Sequence, residues 1–319
     1  MLRITEIKLP IAHPAEALNA EVLRRLKITQ EDLLSMQIFR RGVDARKNNA
    51  ILFIYTVDVQ VRDEPARLKR CAKDAHIGPA PDIQYRPVGS AVKGKSYPRP
   101  IVVGFGPSGI FAALILAQAG FKPIVLERGK AVRERTQDTW GLWRKSVLNP
   151  ESNVQFGEGG AGTFSDGKLY SQIKDPNHYG RKVIAEFVKA GAPEEIVYVS
   201  KPHIGTFRLV GVVEKIRQTI IELGGEIRFN SRVDDVEIDN GQIKALTLAS
   251  GERLPAQQVV LAIGHSARDT FTMLHAKGVY IEAKPFSIGF RIEHPQVLID
   301  KARHGVNAGN PLLGAADYK

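Results

Sequence analysis

The sequence has a single cysteine, Cys71, among its 319 residues. One thiol excludes an internal disulfide framework, a thiolate metal cluster and a CxxC redox pair, so redox chemistry here requires a bound cofactor. The eight histidines form no HxxxH or HExxH pattern, and the GxSxG pattern of many serine hydrolases is missing. We therefore expect neither a metal site nor a serine-hydrolase centre.

An N-terminal apolar run and a long basic run are missing as well. Arg3, Glu6 and Lys8 interrupt residues 1–10, which predicts a cytoplasmic protein without a secretory signal. The net charge of +11 comes from 45 Lys and Arg against 34 Asp and Glu. These charges are scattered and are not interleaved with aromatic residues, so nucleic acid is not the expected partner.

Proline is concentrated in one region. Residues 79–100 contain Pro79, Pro81, Pro87, Pro98 and Pro100, too many for a helix or a central strand. The sequence therefore predicts a linker over residues 78–100, attached to a small basic α+β domain over residues 1–97. Its predicted strands are MLRITEIKL and AILFIYTVDVQV, and its predicted helices are PAEALNAEVLRRL and EPARLKRCAKDA.

After the linker, apolar runs of strand length alternate with helical patterns, which is typical of an α/β fold with a parallel sheet and crossover helices. We assign residues 98–270 to a Rossmann-type domain and residues 271–319 to the start of a second domain, an inserted or following α+β domain over the substrate. The predicted strands are IVVGFG, PIVLE, EIRFN, DDVEI, KALTLA and QVVLAIG.

The run from Ile101 to Phe121 has no charged residue and is long enough to span a membrane. Gly104 and Gly106 make a continuous helix from Ile101 improbable, and Pro107 favours a fresh helix start. The run therefore predicts a strand, a tight turn and a helix, and no membrane span.

The turn carries the GxGxxG spacing of a dinucleotide site. Gly104 permits the turn, Gly106 lets the backbone approach a pyrophosphate, and Gly109 lets the helix lie against the sheet. The helix N-terminus offers N–H groups to the phosphates. The next strand ends in Glu127, which is placed to accept hydrogen bonds from ribose hydroxyls. The residues predicted to bind phosphate are Gly104, Gly106, Pro107, Ser108 and Gly109.

Later features favour FAD over NAD as the cofactor. Residues 156–169 form a glycine-dense loop whose N–H groups are suited to an anion or a flavin ring, although a flexible surface loop is the other interpretation. Val233 lies in a strand that passes the predicted adenine position. A buried strand then ends at a small-residue turn containing Gly264, where the chain is expected to return to the dinucleotide.

Several long strings occur in the order found in one family: GFGPSGIFAALILAQAG, VQFGEGGAGTFSDGKL, KPHIGT, VVLAIGHSARDTF and KPFSIGFRIEHPQ. They resemble the uncharacterised bacterial FAD-dependent dehydrogenases, predicted NAD(P)/FAD-dependent oxidoreductases with a basic N-terminal α/β domain. The resemblance implies one non-covalently bound FAD and a second domain over the flavin, without indicating a substrate.

The resemblance also implies roles for individual residues. Gly104, Gly106, Gly109, Glu127 and Arg128 would hold the AMP half and the pyrophosphate. Gly159, Gly160, Gly162 and Thr163 would approach the pyrophosphate or the flavin, Val233 the adenine, and Gly264 the dinucleotide from the other side. Arg128 is equally well interpreted as a solvated charge beside Glu127.

The sequence departs from the family pattern in two places. Phe207 stands where the family prefers an acidic residue, and the chain ends at PLLGAADYK where family members continue. The resemblance therefore implies that a C-terminal part is lacking, which puts flavin affinity and activity in question.

The predicted function is an FAD-dependent oxidoreductase that transfers hydride or electrons to or from an unidentified small molecule. His203 and His265 are candidate proton donors, but each is equally a structural histidine, so no catalytic residue is assigned. With one nucleotide fingerprint, either NAD(P)H binds transiently or the substrate reduces the flavin. Two alternatives stay open: an FAD-dependent RNA-modifying enzyme that uses the basic N-terminal domain, and a redox-inactive nucleotide-binding protein.

Overall fold

The structure, a computed structural model, describes residues 1–47, 49–164, 167–169, 173–286, 288–290 and 292–316. The remaining positions include residues 165 and 166 of the predicted glycine-rich loop and residues 287, 291 and 317–319 of the predicted second domain. The chain divides into two compact units, made of Met1–Ile83, Val197–Pro202 and Pro285–Lys319 (unit 1) and of Gln84–Ile196 and His203–Lys284 (unit 2). The domain limits 1–97, 98–270 and 271–319 stay predictions.

Unit 1 contains a four-stranded antiparallel sheet with the strand order β2-β3-β1-β4. Its elements are β1 (Leu2–Pro10), α1 (Glu16–Leu26), β2 (Leu33–Asp44), β3 (Leu52–Val61), α2 (Glu64–Cys71), β4 (Ile77–Pro79) and, near the end of the chain, α8 (Gln296–His304). Alternate residues of β1 and β3 are fully buried with Val22 and Leu26 of α1. The predicted strands β1 and β3 and the predicted helices α1 and α2 are confirmed.

Strand β2 is not among the predicted strands. Every side chain along it is half-buried or exposed, so the alternation that marks β1 and β3 is weak. It forms because it pairs with β3 from Leu33 opposite Val61 to Asp44 opposite Leu52. Between Pro79 and Ile101 the chain has no helix or strand, as its proline content predicts, and Pro79 lies in the edge strand β4.

Unit 2 is built on a four-stranded parallel sheet with the order β11-β5-β6-β7. Its elements are β5 (Ile101–Val103), α3 (Pro107–Gln118), β6 (Ile124–Leu126), α4 (Val132–Lys145), α5 (Tyr179–Lys189), α6 (Thr206–Glu222), β7 (Glu226–Arg228), β8 (Val233–Asp239), β9 (Gln242–Leu248), β10 (Arg253–Pro255), β11 (Val259–Leu261) and α7 (Arg268–Ala276). The predicted division of residues 101–121 into a strand, a turn and a helix is confirmed.

The central strands β5 and β6 of the parallel sheet are covered on both faces, which explains why they are uninterrupted apolar runs. Val102 and Val125 lie in one apolar cluster with α3 and α6. Ile101, Val103 and Leu126 lie in a second cluster with residues of β8, β9 and α7. The carboxyl ends of the central strands are thereby held between two layers.

Two of the strands predicted for this region, DDVEI and KALTLA, are not part of the parallel sheet. Strands β8, β9 and β10 form a separate antiparallel sheet. The reason is the two-residue connection Asn240-Gly241, in which both residues have positive φ (50° and 74°). Such a turn joins antiparallel neighbours and leaves no room for a crossover helix.

Among the described residues, no helix combines the length and the apolar character needed to cross a membrane. Helix α3, which holds most of the uncharged run, has 12 residues.

The contact between α3 and the start of the sheet predicts a large effect of one methyl group. A Cβ on Gly109 would clash with the carbonyl oxygen of Gly104, whereas a Cβ on the exposed Gly211 of α6 would meet nothing within 4 Å. We expect Gly109→Ala to lower the free energy of unfolding by about 1–3 kcal/mol and Gly211→Ala to raise it by about 0.5–1 kcal/mol. Denaturant titration measures the free energy of unfolding of both variants. Equal unfolding midpoints would contradict the close contact between Gly109 and Gly104.

Candidate functional site

A cleft of about 580 Å³ lies at the carboxyl ends of β5, β6 and β11 in unit 2. Ligands of open α/β sheets bind in this position. Most of the predicted cofactor residues line the cleft: Gly104, Gly106, Pro107, Ser108, Glu127, Arg128, Gly160, Gly162, Val233 and Gly264. These residues, distant in sequence, are therefore brought together.

The turn between β5 and α3 has the backbone that its glycines predict. Gly104 has a φ of 98°, and a Cβ there would clash with the carbonyl oxygen of Ala262. The first helical residue is Pro107, which has no N–H, and Ile110 N donates to Gly106 O at 2.9 Å. The N–H groups of Ser108 and Gly109 therefore have no acceptor within the helix.

The glycine-rich loop lies directly on this turn, backbone against backbone. A Cβ on Gly160 would lie 3.0 Å from Gly106 Cα and 3.0 Å from Pro107 Cδ. Gly106 itself has an ordinary φ of −76°, and a Cβ there would meet Gly160 Cα at 3.6 Å, an unstrained contact. The protein thus requires glycine at position 160 for its own packing, but the protein alone does not require it at position 106.

Glu127 holds three segments of the site together. Its carboxylate is buried and accepts hydrogen bonds from Phe105 N (2.6 Å), Gly129 N (2.8 Å) and Gly157 N (3.0 Å). These donors belong to the fingerprint turn, the segment after β6 and the glycine-rich loop. A carboxylate has about four acceptor positions, so about one is left for the predicted ribose hydroxyl.

Arg135 of α4 is fully buried and was not a predicted site residue. Its guanidinium donates to the carbonyl oxygens of Asn153, Val154 and Glu158 (2.7 Å each) and of Gly160 (2.9 Å). Burial lowers the pKa of Arg135 to about 10, although Glu127 and Glu158 oppose this shift. Arg135 therefore stays cationic at neutral pH and fixes the backbone of residues 153–160.

Gly157 is needed to make room for this arginine. It has a φ of 117°, and a Cβ would clash with Arg135 Cδ. A Cβ on the neighbouring Gly129 would lie 2.6 Å from Gly157 Cα. The glycines of this loop thus serve contacts within the protein as well as the lining of the cleft.

Glu158 completes the attachment of the loop to α4. Its Oε2 accepts from Val132 N (2.8 Å), the first residue of the helix, and from Arg217 Nη1 (2.9 Å). Its Oε1 has no hydrogen-bond partner among the described residues. Burial raises the pKa of Glu158, and this effect outweighs the Val132 N–H and the Arg217 charge, which lower it.

Arg128 and Arg232, which line the cleft, belong to a network with three carboxylates. Glu151 accepts from both arginines, while Asp269 pairs with Arg128 and Asp234 pairs with Arg232. Burial alone would lower the pKa of Arg128, but its hydrogen bonds to Asp269 and Glu151 raise it. Arg128 is therefore an ion-paired residue beside the cleft rather than a freely solvated charge.

Three predicted residues do not line the cleft. Gly109 packs under the turn, as described above. Gly159 has a φ of 84° and abuts Thr163, so that a Cβ on it would clash with Thr163 Oγ1. Thr163 is fully buried. Contact of these three residues with a cofactor stays a prediction.

The two candidate histidines are placed differently. His265, which follows β11, lines the cleft beside Ser266, whose Oγ contacts Gln155 Oε1 at 3.1 Å. His203 forms an isolated bridge with Lys168 and does not line the cleft. No catalytic role follows for either residue from these positions.

Arg135 and Glu158 escape prediction because no sequence pattern marks them. VRERT begins a helix rich in charge, where an arginine is normally solvated, and their partners are mostly backbone groups of distant segments. The weak signal is the density of glycines in residues 157–162, which indicates that a neighbouring group lies close to the backbone.

Two family models match short parts of the chain. Residues 1–60 match "Domain of unknown function (DUF8436)", and residues 285–319 match "FAD-dependent protein, C-terminal domain-like". An uncharacterized protein of Clostridium beijerinckii is 44% identical over 319 residues, which are 100% of this chain and 59% of that protein. The chain thus spans about three-fifths of the length of this curated relative.

Solved structures with partial similarity include three proteins. Thermovibrio ammonificans THI4 is 19% identical, with 57% of this chain and 63% of that chain covered and a TM-score of 0.38. Bacillus cereus glycine oxidase is 14% identical, with 57% of this chain and 58% of that chain covered and a TM-score of 0.31. P. horikoshii L-proline dehydrogenase is 17% identical, with 58% of this chain and 56% of that chain covered and a TM-score of 0.32.

The role of Arg135 predicts an asymmetry between two arginines of one helix. Arg135→Met removes the donor to four carbonyl oxygens, and we expect it to lower the free energy of unfolding by about 3 kcal/mol or more. Arg133→Met removes an exposed pair with Glu214 and should change stability little. Thermal and denaturant unfolding measure both variants. A small effect of Arg135→Met would contradict its proposed hold on the loop.

The raised pKa of Glu158 predicts a pH-dependent difference between the wild type and Glu158→Gln. A raised carboxyl pKa stabilises the folded protein below the ordinary value of 4.5, and this contribution is lost as pH rises through the folded-state pKa. Glutamine has no such dependence. The free energy of unfolding of the variant relative to wild type, measured by denaturant titration, should therefore increase from pH 4.5 towards neutrality. Parallel pH profiles of the two proteins would contradict a raised pKa of Glu158.

Proposed function

We propose that the cleft binds FAD and that the chain is part of an FAD-dependent oxidoreductase acting on an unidentified small molecule. The observation that carries the proposal is the convergence of the GxGxxG turn, the end of β6, the glycine-rich loop and the turn after β11 on one cleft. The FAD-dependent description of the family model at residues 285–319 supports the same cofactor.

The residues present suit a dinucleotide. Gly106 leaves a space beside the N-terminus of α3 that the protein alone does not need, and the N–H groups of Ser108 and Gly109 have no acceptor within the helix. Helix dipole and free N–H groups together favour a pyrophosphate there. Gly264 also lines the cleft, and a Cβ on it would meet nothing within 4 Å.

Bound FAD would supply hydride and electron transfer, which the side chains cannot supply themselves. The proposed work of the chain is to hold and orient the cofactor. Ser108 and Gly109 would bind the pyrophosphate, the remaining acceptor position of Glu127 would bind a ribose hydroxyl, and Val233 would face the adenine. The apolar side chains of Val103, Leu126, Leu261 and Leu274 on the cleft wall would exclude water.

The contacts of unit 1 argue against the RNA-modifying alternative. Arg24 is paired with Glu21, and Arg25 is paired with Asp74 and donates to Thr5 O. The guanidinium of Arg41 lies over the rings of Phe53 and Tyr198. The carboxylates of Glu21 and Asp74 therefore offset part of the charge that Arg24 and Arg25 offer to a phosphate backbone.

The proposal predicts a flavin spectrum. The purified chain, supplied with FAD and freed of excess, should show the absorption of oxidised flavin, and mass measurement of the cofactor released by heat should identify FAD. Turnover with an artificial electron acceptor then separates an oxidoreductase from a redox-inactive binder. A folded protein that takes up no FAD would contradict the proposal.

Gly106 allows a test that separates binding from folding. Because the protein tolerates a Cβ at this position, Gly106→Ala should fold and bind FAD at least about tenfold more weakly, and Gly106→Val should abolish binding by blocking the pyrophosphate. Gly211→Ala is the matched control and should bind FAD like the wild type. Undiminished affinity of a folded Gly106→Val variant would remove this turn from the site.

A further inference from the structure

The two arginines of the cleft raise the question of which nucleotides it admits. Arg128 follows Glu127 directly, at the end of the second strand of the nucleotide-binding motif, and Arg232 precedes β8. Dinucleotide-binding proteins place an arginine near this position to accommodate the 2′-phosphate of NADP. Sequence alone would therefore permit NADP at this site.

The hydrogen bonds of Arg128 oppose that interpretation. Its Nε and Nη2 donate to the two carboxylate oxygens of Glu151 (2.8 and 3.2 Å). Its Nη1 and Nη2 donate to those of Asp269 (3.0 and 2.9 Å). Both forked edges of the guanidinium are thus occupied, and a phosphate recognised by arginine needs such an edge.

Arg232 is engaged in the same way. Its Nε and Nη2 donate to the two oxygens of Asp234 (2.6 and 3.1 Å), and its Nη1 donates to Glu151 Oε1 (2.6 Å). Glu151 therefore bridges both arginines. We call these five residues the carboxylate brace: Arg128, Glu151, Arg232, Asp234 and Asp269.

The charge of the brace is unfavourable for an added phosphate. Two arginines contribute +2 and three carboxylates contribute −3, so the brace carries a net −1. The pKa values of Glu151, Asp234 and Asp269 are all lowered, so the three carboxylates are ionised at neutral pH. At Glu151, burial raises the pKa, but the hydrogen bonds from the two arginines outweigh it. At Asp234 and Asp269, the hydrogen bond from an arginine is the largest cause of the lower pKa. A phosphate monoester brings about two further negative charges.

We propose that the carboxylate brace closes the adenosine end of the cleft to a 2′-phosphate, so that the cleft accepts adenine nucleotides such as FAD or NAD and rejects NADP(H). The inference rests on the proposed function, because that function places adenosine beside Glu127 and Val233. It adds a specificity that the GxGxxG pattern does not supply.

The test compares two ligands that differ only in this phosphate. Adenosine 5′-monophosphate and adenosine 2′,5′-bisphosphate are each used to displace FAD from the wild-type protein, followed by flavin fluorescence. The 2′,5′-bisphosphate should compete at least about tenfold more weakly, since like charges placed together are strongly unfavourable. Equal or stronger competition by the bisphosphate would overturn the brace as a barrier while leaving the proposed function intact.

Variants of the brace residues test whether the brace causes the difference in affinity between the two ligands. Asp269→Asn, at a side chain that is 52% exposed, and the double variant Glu151→Gln/Asp269→Asn remove one or two negative charges from the brace and leave Arg128 without a bidentate carboxylate at one or both edges. The ratio of the two affinities should fall by at least about tenfold in the double variant. The matched control is Asp235→Asn. Asp235 lies on the same strand as Asp234 but pairs with Lys277 and does not line the cleft, so this variant should leave the ratio unchanged.

The outcomes separate the two proposals. An unchanged ratio in a folded Asp269→Asn or double variant would show that the brace does not set the preference. If the wild type binds neither FAD nor adenosine 5′-monophosphate, the proposed function itself is contradicted, and the inference fails with it. Far-ultraviolet circular dichroism establishes that each variant is folded.

Discussion

The candidate site depends on the burial of one anion and one cation whose partners are mainly backbone. Glu127 receives three backbone N–H groups and Arg135 gives hydrogen bonds to four backbone carbonyl oxygens. Isolated buried charges are costly, so each is retained only with such partners. Together they fix the fingerprint turn, the segment after β6 and the glycine-rich loop, segments that have little regular secondary structure of their own.

The glycines around the cleft therefore have two different roles. Gly104, Gly109, Gly157 and Gly160 leave room for neighbouring protein atoms, and their replacement disturbs the fold. Gly106 leaves room that no protein atom needs, and its φ is ordinary, whereas Gly264 has free space beside it but a φ of 71° that itself favours glycine. That difference separates residues that build the cleft from residues that would admit a ligand, and the GxGxxG pattern alone does not reveal it.

The parts of the fold that local pattern and spacing determine could be predicted. The strand, turn and helix of residues 101–118, and the meeting of Gly104, Glu127 and Gly264 at one cleft, follow from periodicity and from the rules of parallel sheets. The family resemblance, rather than these rules, implies the place of Val233, which lies in the separate antiparallel sheet. Strand β2 could not be predicted, because it is stabilised by pairing with β3 rather than by its own pattern. The antiparallel β8–β9 pair is marked in the sequence by Asn240-Gly241, a local hairpin signal that outweighs the expectation of a parallel sheet. Arg135 and the carboxylate brace depend on contacts between distant segments, which no local pattern encodes.

We infer that Glu127 and Arg135 hold the cleft in one form before the proposed cofactor, FAD, binds. Hydrogen–deuterium exchange of the protein with and without FAD tests it most directly. We expect slow exchange at the amides of Phe105, Gly129 and Gly157 without FAD, and additional slowing at Ser108 and Gly109 when FAD is added. Fast exchange at the first three amides without FAD, or no effect of FAD at the last two, would contradict it.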